Sequence, residues 1–267
     1  TTSPHPLSFV RAFHDVAANR QAALANAALA GVAFGIVSLG WKGFVVGPSI
    51  LFLAYALQVA LNMFRRRDST TLSVMFLVML TTTFLMGLPF YAHPQLNLVF
   101  DSTGLQPFLF IFGFTIAIAF VTTGFRDKPW LLVLGTLTAV AAVFFTVLYV
   151  LKTLEISDAW DVLFTGSGYF TKTKIFGTVA EANAPNRAQL FASFGPITFL
   201  LALIMGGGLL WRGLRHRNGT ALVFGVWVFA ATFMAWNAAR FMFNATPIMA
   251  ILGCLLYTSP SPRDSRK

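Results

Sequence analysis

The sequence predicts an all-α fold, a polytopic transmembrane helical bundle. Of the 267 residues, 57% are hydrophobic and only 10% are charged. Mean hydropathy is +0.72. A water-soluble fold of this size carries more charge, so the solvent for most of this chain is lipid. The third observation is spacing. Apolar runs of membrane-crossing length recur at about 24–40, 43–64, 72–91, 107–124, 129–151, 193–211, 220–236 and 239–256. These are eight expected spans. The 29 Phe suit a lipid-facing surface.

The first span follows a polar N-terminal stretch, Thr1 to Gln21, and ends at Gly40. Only Trp41-Lys42-Gly43 separates it from the second, which predicts a tight helical hairpin at an interface. A basic turn separates the second and third spans, and the loop 92–106 the third and fourth. A second basic turn precedes the fifth span, and the long loop 152–192 follows it. A short helix-like run then re-enters the membrane near Ser193 to start the sixth. A third basic turn and a turn near Asn237 complete the series. Pro48, Pro89, Pro196 and Pro247 lie within or at the ends of spans, where kinks are tolerated.

Positive charge fixes the sides. Arg65, Arg66 and Arg67 form one turn, Arg126 and Lys128 another, and Arg212, Arg215 and Arg217 a third. With Arg11 and Arg20, all four sets fall on one side if every span crosses once. The positive-inside rule makes that side the cytoplasm. The opposite face then holds Lys42, the loop 92–106 and the loop 152–192. Asp101, Glu155, Asp158, Asp161 and Glu181 all lie there, five of the nine acids. The expected location is the cell membrane, multi-pass, with the long loop on the extracytoplasmic side.

The net charge of +10 is distributed over short turns and forms no stripe, which argues against nucleic-acid binding. The lone Cys254 sits in an apolar run, so it predicts neither an intramolecular disulfide nor a Cys-based metal site. The chain opens without an initiator Met. The segment from Leu255 to Lys267 turns abruptly polar within a span and resembles a translated adaptor tail. The expected organisation is therefore a partial transmembrane domain over 1–254 and a non-native tail over 255–267.

Chemistry is sought in the long loop, because membrane proteins keep such loops short unless they act. It is aromatic and glycine-rich, with Gly166-Ser167-Gly168-Tyr169-Phe170 followed by Lys172, Lys174 and the tetrad Thr178-Val179-Ala180-Glu181. The Glu181 carboxylate can ligate a divalent cation, accept hydrogen bonds from an amide or act as a base. As a solvated loop residue it would do none of these. Arg240 opens the last span at its outer end. An arginine there can snorkel, and its planar, permanently charged fork also suits a phosphate or pyrophosphate. Trp41 is an interfacial anchor, and Lys42 a possible contact for anionic lipid.

Three segments together resemble the membrane domain of the oligosaccharyltransferase catalytic subunit, most of all the archaeal single-subunit type. Ser38-Leu39-Gly40-Trp41-Lys42-Gly43 is similar to a Trp-x-Gly hairpin. Phe170-Thr171-Lys172-Thr173-Lys174 leading to Thr178-Val179-Ala180-Glu181 resembles the external-loop motif Thr-Ile-x-Glu, with Val in place of Ile. Arg240-Phe241 followed by Pro247-Ile248-Met249-Ala250 resembles the late span whose arginine meets the lipid carrier's pyrophosphate. The resemblance spans roughly residues 5–254.

The resemblance implies a glycosyltransferase membrane domain of the GT-C type. It would transfer a glycan from a dolichol-phosphate lipid carrier to the asparagine amide of an acceptor Asn-x-Ser/Thr sequon. Its implied partners are a lipid-linked oligosaccharide, the acceptor polypeptide and membrane lipids; its implied cofactor is Mn2+ or Mg2+. Thr178 and Glu181 would bind the acceptor asparagine, with Glu181 catalytic and also near the metal, and Arg240 would neutralise the carrier phosphate. The family's metal-binding aspartates would precede Thr1, and its sequon-reading Trp-Trp-Asp-Tyr-Gly domain would follow Cys254. Neither is in this sequence, so the polypeptide alone is expected to be inactive. Asn218-Gly219-Thr220 and Asn244-Ala245-Thr246 match the acceptor pattern by chance. Two alternatives stay open: another lipid-phosphate-sugar glycosyltransferase of the same superfamily, and a polytopic transporter.

Overall fold

The computed structural model describes residues 20–40, 42–94, 99, 105–125, 128–154, 184–216 and 218–258. Among these the regular structure is entirely helical, as the absence of backbone partners in lipid requires. Seven helices among the described residues are long and apolar enough to cross a membrane, which makes the chain a multi-pass membrane protein. The helices form two compact units, one on each side of the long loop.

The first unit contains α1 (Gln21–Gly40), a 3-10 turn (Lys42–Val45), α2 (Val46–Phe64), α3 (Thr70–Tyr91), α4 (Gln106–Gly124) and α5 (Trp130–Thr153). Its tightest pairing is between α1 and α3. A Cβ on Gly31 would lie 2.5 Å from the Met79 carbonyl oxygen, and one on Gly35 2.6 Å from Met86 Cβ. Position 31 thus meets 79, 35 meets 86, and Ser38 meets Gly87 and Tyr91, so the two helices run parallel. Small residues spaced four apart bring the backbones together, and lipid leaves dispersion and hydrogen bonds to hold them. Thr83 Oγ1 donates to the Gly31 carbonyl at 3.1 Å, and Tyr91 Oη to the Ser38 carbonyl at 2.9 Å.

The expected hairpin after Gly40 is a 3-10 turn that drives Phe44 into the core, 1% exposed, against Tyr91 and Phe108. At the other end, a polar seam joins α2 to α3. Tyr55 Oη and Ser73 Oγ share a hydrogen bond of 2.9 Å. Gln58 Nε2 donates to Asn62 Oδ1, and Asn62 Nδ2 to Ser69 Oγ. The outlying helix is α5. Phe110 and Phe114 of α4 stack edge-on against its Phe144, and Phe64 of α2 meets its Trp130 with ring centroids 5.0 Å apart. Many of its apolar side chains are exposed, as suits a lipid face.

The second unit holds α6 (Arg187–Phe194), α7 (Pro196–His216), α8 (Gly219–Asn237), a 3-10 turn (Ala239–Phe241) and α9 (Met242–Thr258). The short helix expected before the sixth span is α6. Gly195, at φ 72°, breaks the chain between α6 and α7. Helices α7 and α8 form an antiparallel hairpin: Gly206 faces Val228, and a Cβ on Gly213 would lie 2.8 Å from Leu222 Cα. Asn218 caps α8, its side chain accepting from Ala221 N at 3.1 Å. That contact gives a structural reason for an asparagine in the first of the two chance sequons. The eighth expected span differs from expectation. Residues 239–241 form the 3-10 turn, and the apolar helix behind them, Met242–Cys254, is shorter than the seven spanning helices.

Gly31→Ala should destabilise the first unit by about 1–3 kcal/mol, because the added methyl meets backbone rather than a flexible side-chain tip. Gly40→Ala, which meets nothing within 4 Å, should change stability far less. Unfolding of both variants in mixed detergent measures the difference.

Candidate functional site

Two of the three expected site residues, Thr178 and Glu181, lie outside the described residues, as do Asp101, Glu155, Asp158 and Asp161. The third, Arg240, is placed by its backbone. It sits at the centre of the 3-10 turn Ala239–Phe241 that connects α8 to α9. Ala238, just before it, is extended at φ −150° and ψ 129°, and so ends α8 and redirects the chain. Lys42 likewise opens its 3-10 turn, and Trp41 lies outside the described residues.

Ala184, three positions after Glu181, leads into α6. Asn186 starts α6 with its side chain accepting from Gln189 N at 2.7 Å, a cap that satisfies one orphan donor. Phe194 at the end of α6 stacks on Phe199 of α7, with ring centroids 6.1 Å apart. Phe199 belongs to a core cluster with Ala235 of α8 and Ala245 and Ile248 of α9, against which Phe194 and Met242 also pack. The segment that follows the Thr178–Glu181 loop and the turn that carries Arg240 are therefore at one end of this unit. Arg212, Arg215 and His216 are at the opposite end of the α7–α8 hairpin, with the Arg215 guanidinium over the Trp211 ring at 5.8 Å.

One polar group near the Arg240 turn belongs to the second Asn-x-Thr match. Asn244 stands on the first turn of α9, and its Nδ2 is buried with no hydrogen-bond partner. Such a donor costs roughly 1–3 kcal/mol while unmet. The sequence signal was available: an asparagine among apolar residues, four positions after an arginine at a span edge. Thr232 Oγ1 on α8 is a second buried polar atom without a partner.

The expected Mn2+ or Mg2+ finds no support among the described side chains. No three His, Cys, Asp or Glu come together there in a way that would hold a metal ion. Only Glu181 was assigned to the metal, and one carboxylate does not make a site.

No protein-family model, no curated protein and no solved structure matches this chain. The functional reading therefore rests on its own residues.

The geometry of the second unit predicts sidedness. With Cys254 replaced by Ser, an impermeant maleimide should label Ala184→Cys and Ala239→Cys from one side of the membrane. His216→Cys should label from the other. Labelling of all three from one side would contradict the antiparallel crossing of α7 and α8.

Proposed function

We propose that this chain is part of a membrane glycosyltransferase of the oligosaccharyltransferase kind. It acts on a lipid-phosphate-linked glycan and the asparagine amide of an Asn-x-Ser/Thr acceptor, on the extracytoplasmic face. The observation that carries the reading is the Arg240 turn, set at the same end of its unit as the segment leading out of the Thr178–Glu181 loop. An unmet amide donor, Asn244 Nδ2, on the helix turn that follows the Arg240 segment suits a phosphate oxygen, as a permanent cation such as arginine does.

Each residue then has a task. Arg240 neutralises the carrier phosphate at the membrane surface, with Asn244 donating to the same group. Glu181 accepts hydrogen bonds from the carboxamide NH2 of the acceptor asparagine, and Thr178 lines that subsite. An amide nitrogen is a poor nucleophile because its lone pair is delocalised into the carbonyl. Holding both N–H bonds on carboxylate oxygens favours a rotated, less conjugated amide. Its nitrogen attacks C1 of the sugar, the C1–O bond breaks with its electron pair going to the departing phosphate, and one N–H proton passes to a Glu181 carboxylate oxygen. The energetic demand falls on holding the amide and offsetting the charge of the departing phosphate. A divalent ion would need carboxylates beyond Glu181.

The assay is glycopeptide formation from lipid-linked oligosaccharide and an Asn-x-Thr peptide, in the open reading frame that carries this segment. Glu181→Gln should lower turnover by about 100-fold or more, the usual scale for losing a positioned acid–base group. Arg240→Ala should raise the donor concentration for half-saturation roughly 10- to 100-fold, the cost of a lost charged hydrogen bond. Wild-type turnover in Glu181→Gln, with unchanged donor saturation in Arg240→Ala, would defeat the transferase reading.

Asn244 gives an independent check. Asn244→Leu should raise the melting temperature of the ligand-free protein, because a buried unmet donor is removed. The same change should weaken use of the lipid donor.

A further inference from the structure

The first unit contains a cavity at the end opposite its Lys42–Val45 turn. Its volume is about 480 Å3, within the range of small-ligand sites. It lies where the α2–α3 turn meets the α4–α5 turn. Among the described residues three cations line it, Arg66, Arg67 and Lys128, all exposed, against one carboxylate, Asp68. Asp68 Oδ1 already accepts from Thr70 N at 2.9 Å and Thr70 Oγ1 at 2.6 Å, so it is turned to the start of α3. Ser69 and Thr122 add hydroxyls to the lining. The remaining wall is apolar: Met63, Trp130 and Val133, with Val133 buried and Trp130 38% exposed. The cavity is thus cationic at its mouth and greasy along one side.

The backbone at this point has an unusual feature. Helix α2 closes with paired bonds, Arg66 N to the Met63 carbonyl and Arg67 N to the Asn62 carbonyl at 2.8 Å. This closing turn places its penultimate residue in the left-handed region, where glycine is normal. Here that residue is Arg66, at φ 51°. A side chain at such a position carries a backbone cost that glycine would avoid. Local strain retained in a cavity wall is a pointer to function.

We propose that this cavity binds the phosphate of an anionic phospholipid headgroup. The cations meet the phosphate, and the apolar wall beside Trp130 takes the start of the acyl chains. The positive-inside rule puts this end in the cytoplasmic leaflet, where anionic lipids attract basic pockets between helices. Free phosphate shares the headgroup's chemistry but makes no use of the apolar wall. The proposal does not depend on the transferase reading.

The test is native mass spectrometry of the full chain released from phosphatidylcholine vesicles doped with phosphatidylglycerol. Wild-type protein should retain phosphatidylglycerol in preference to phosphatidylcholine. Arg66→Gly, Arg67→Ala and Lys128→Ala should each cut that retention about fivefold, the scale of one cation at a membrane surface. Arg66→Gly is the informative variant, because it relieves the strained turn. It should keep or raise the melting temperature while losing lipid. Arg212→Ala, at a basic turn outside the cavity, should leave retention unchanged.

Equal loss in Arg212→Ala would mean diffuse surface charge and would overturn the site. So would full retention in the cavity variants, or equal retention of the two lipids. Displacement of phosphatidylglycerol by millimolar inorganic phosphate would assign the cavity to a soluble anion and overturn the lipid proposal.

Discussion

Close approach of helix backbones is the interaction on which this structure depends. Inside a bilayer an apolar helix gains nothing by leaving lipid for another apolar helix, so association needs surfaces that fit better than acyl chains do. Both units meet that need with glycine. Gly31 and Gly35 bring α1 onto α3, and Gly213 and Gly225 bring α7 onto α8. Once the backbones touch, short polar side chains can bridge them, as Thr83 does to the Gly31 carbonyl. Helices without such a seam sit at the edge. Helix α5 leans on α4 through aromatic rings and turns much of its surface to lipid.

The elements themselves were legible because a membrane imposes length and composition together. Apolar runs such as 72–91 and 107–124 matched their helices almost residue for residue, α3 over Thr70–Tyr91 and α4 over Gln106–Gly124. The basic turns were legible too, and the Phe64–Trp130 contact brings the α2 and α5 ends of two of them together. Pairing was harder. That α1 meets α3 rather than its hairpin neighbour α2 follows from the Gly31–Gly35 spacing, a signal that hydropathy does not contain. The cavity at the Arg66 turn was invisible for another reason, since its walls come from segments about sixty residues apart in sequence. Arg240 was legible as a charge at a span edge, while the turn that holds it arises from the extended conformation of Ala238, which composition does not encode. Thr178 and Glu181 rest on motif resemblance alone, because they lie outside the described residues.

The polar groups of the described residues divide by what they meet. Ser38, Thr83 and Tyr91 are satisfied within the α1–α3 seam and lock it. Tyr55, Gln58, Asn62 and Ser69 serve the α2–α3 turn. Asn244 Nδ2 is a buried donor with no partner, whereas the unpartnered atom of Gln58 is an acceptor, Oε1. Polar atoms that complete a helix contact belong to folding, and a donor with nothing to meet is the better indicator of a ligand.

The parallel pairing of α1 with α3 also sets an order of assembly. A chain is made from its N-terminus, so α1 and α2 enter the bilayer before α3 exists. Until then the notch at Gly31 and Gly35 faces lipid, and the Gly31 and Ser38 carbonyls lack the hydroxyls of Thr83 and Tyr91. The third helix acts as the clasp, and Phe44 is sealed into the core only when Tyr91 arrives at the far end of the closed seam.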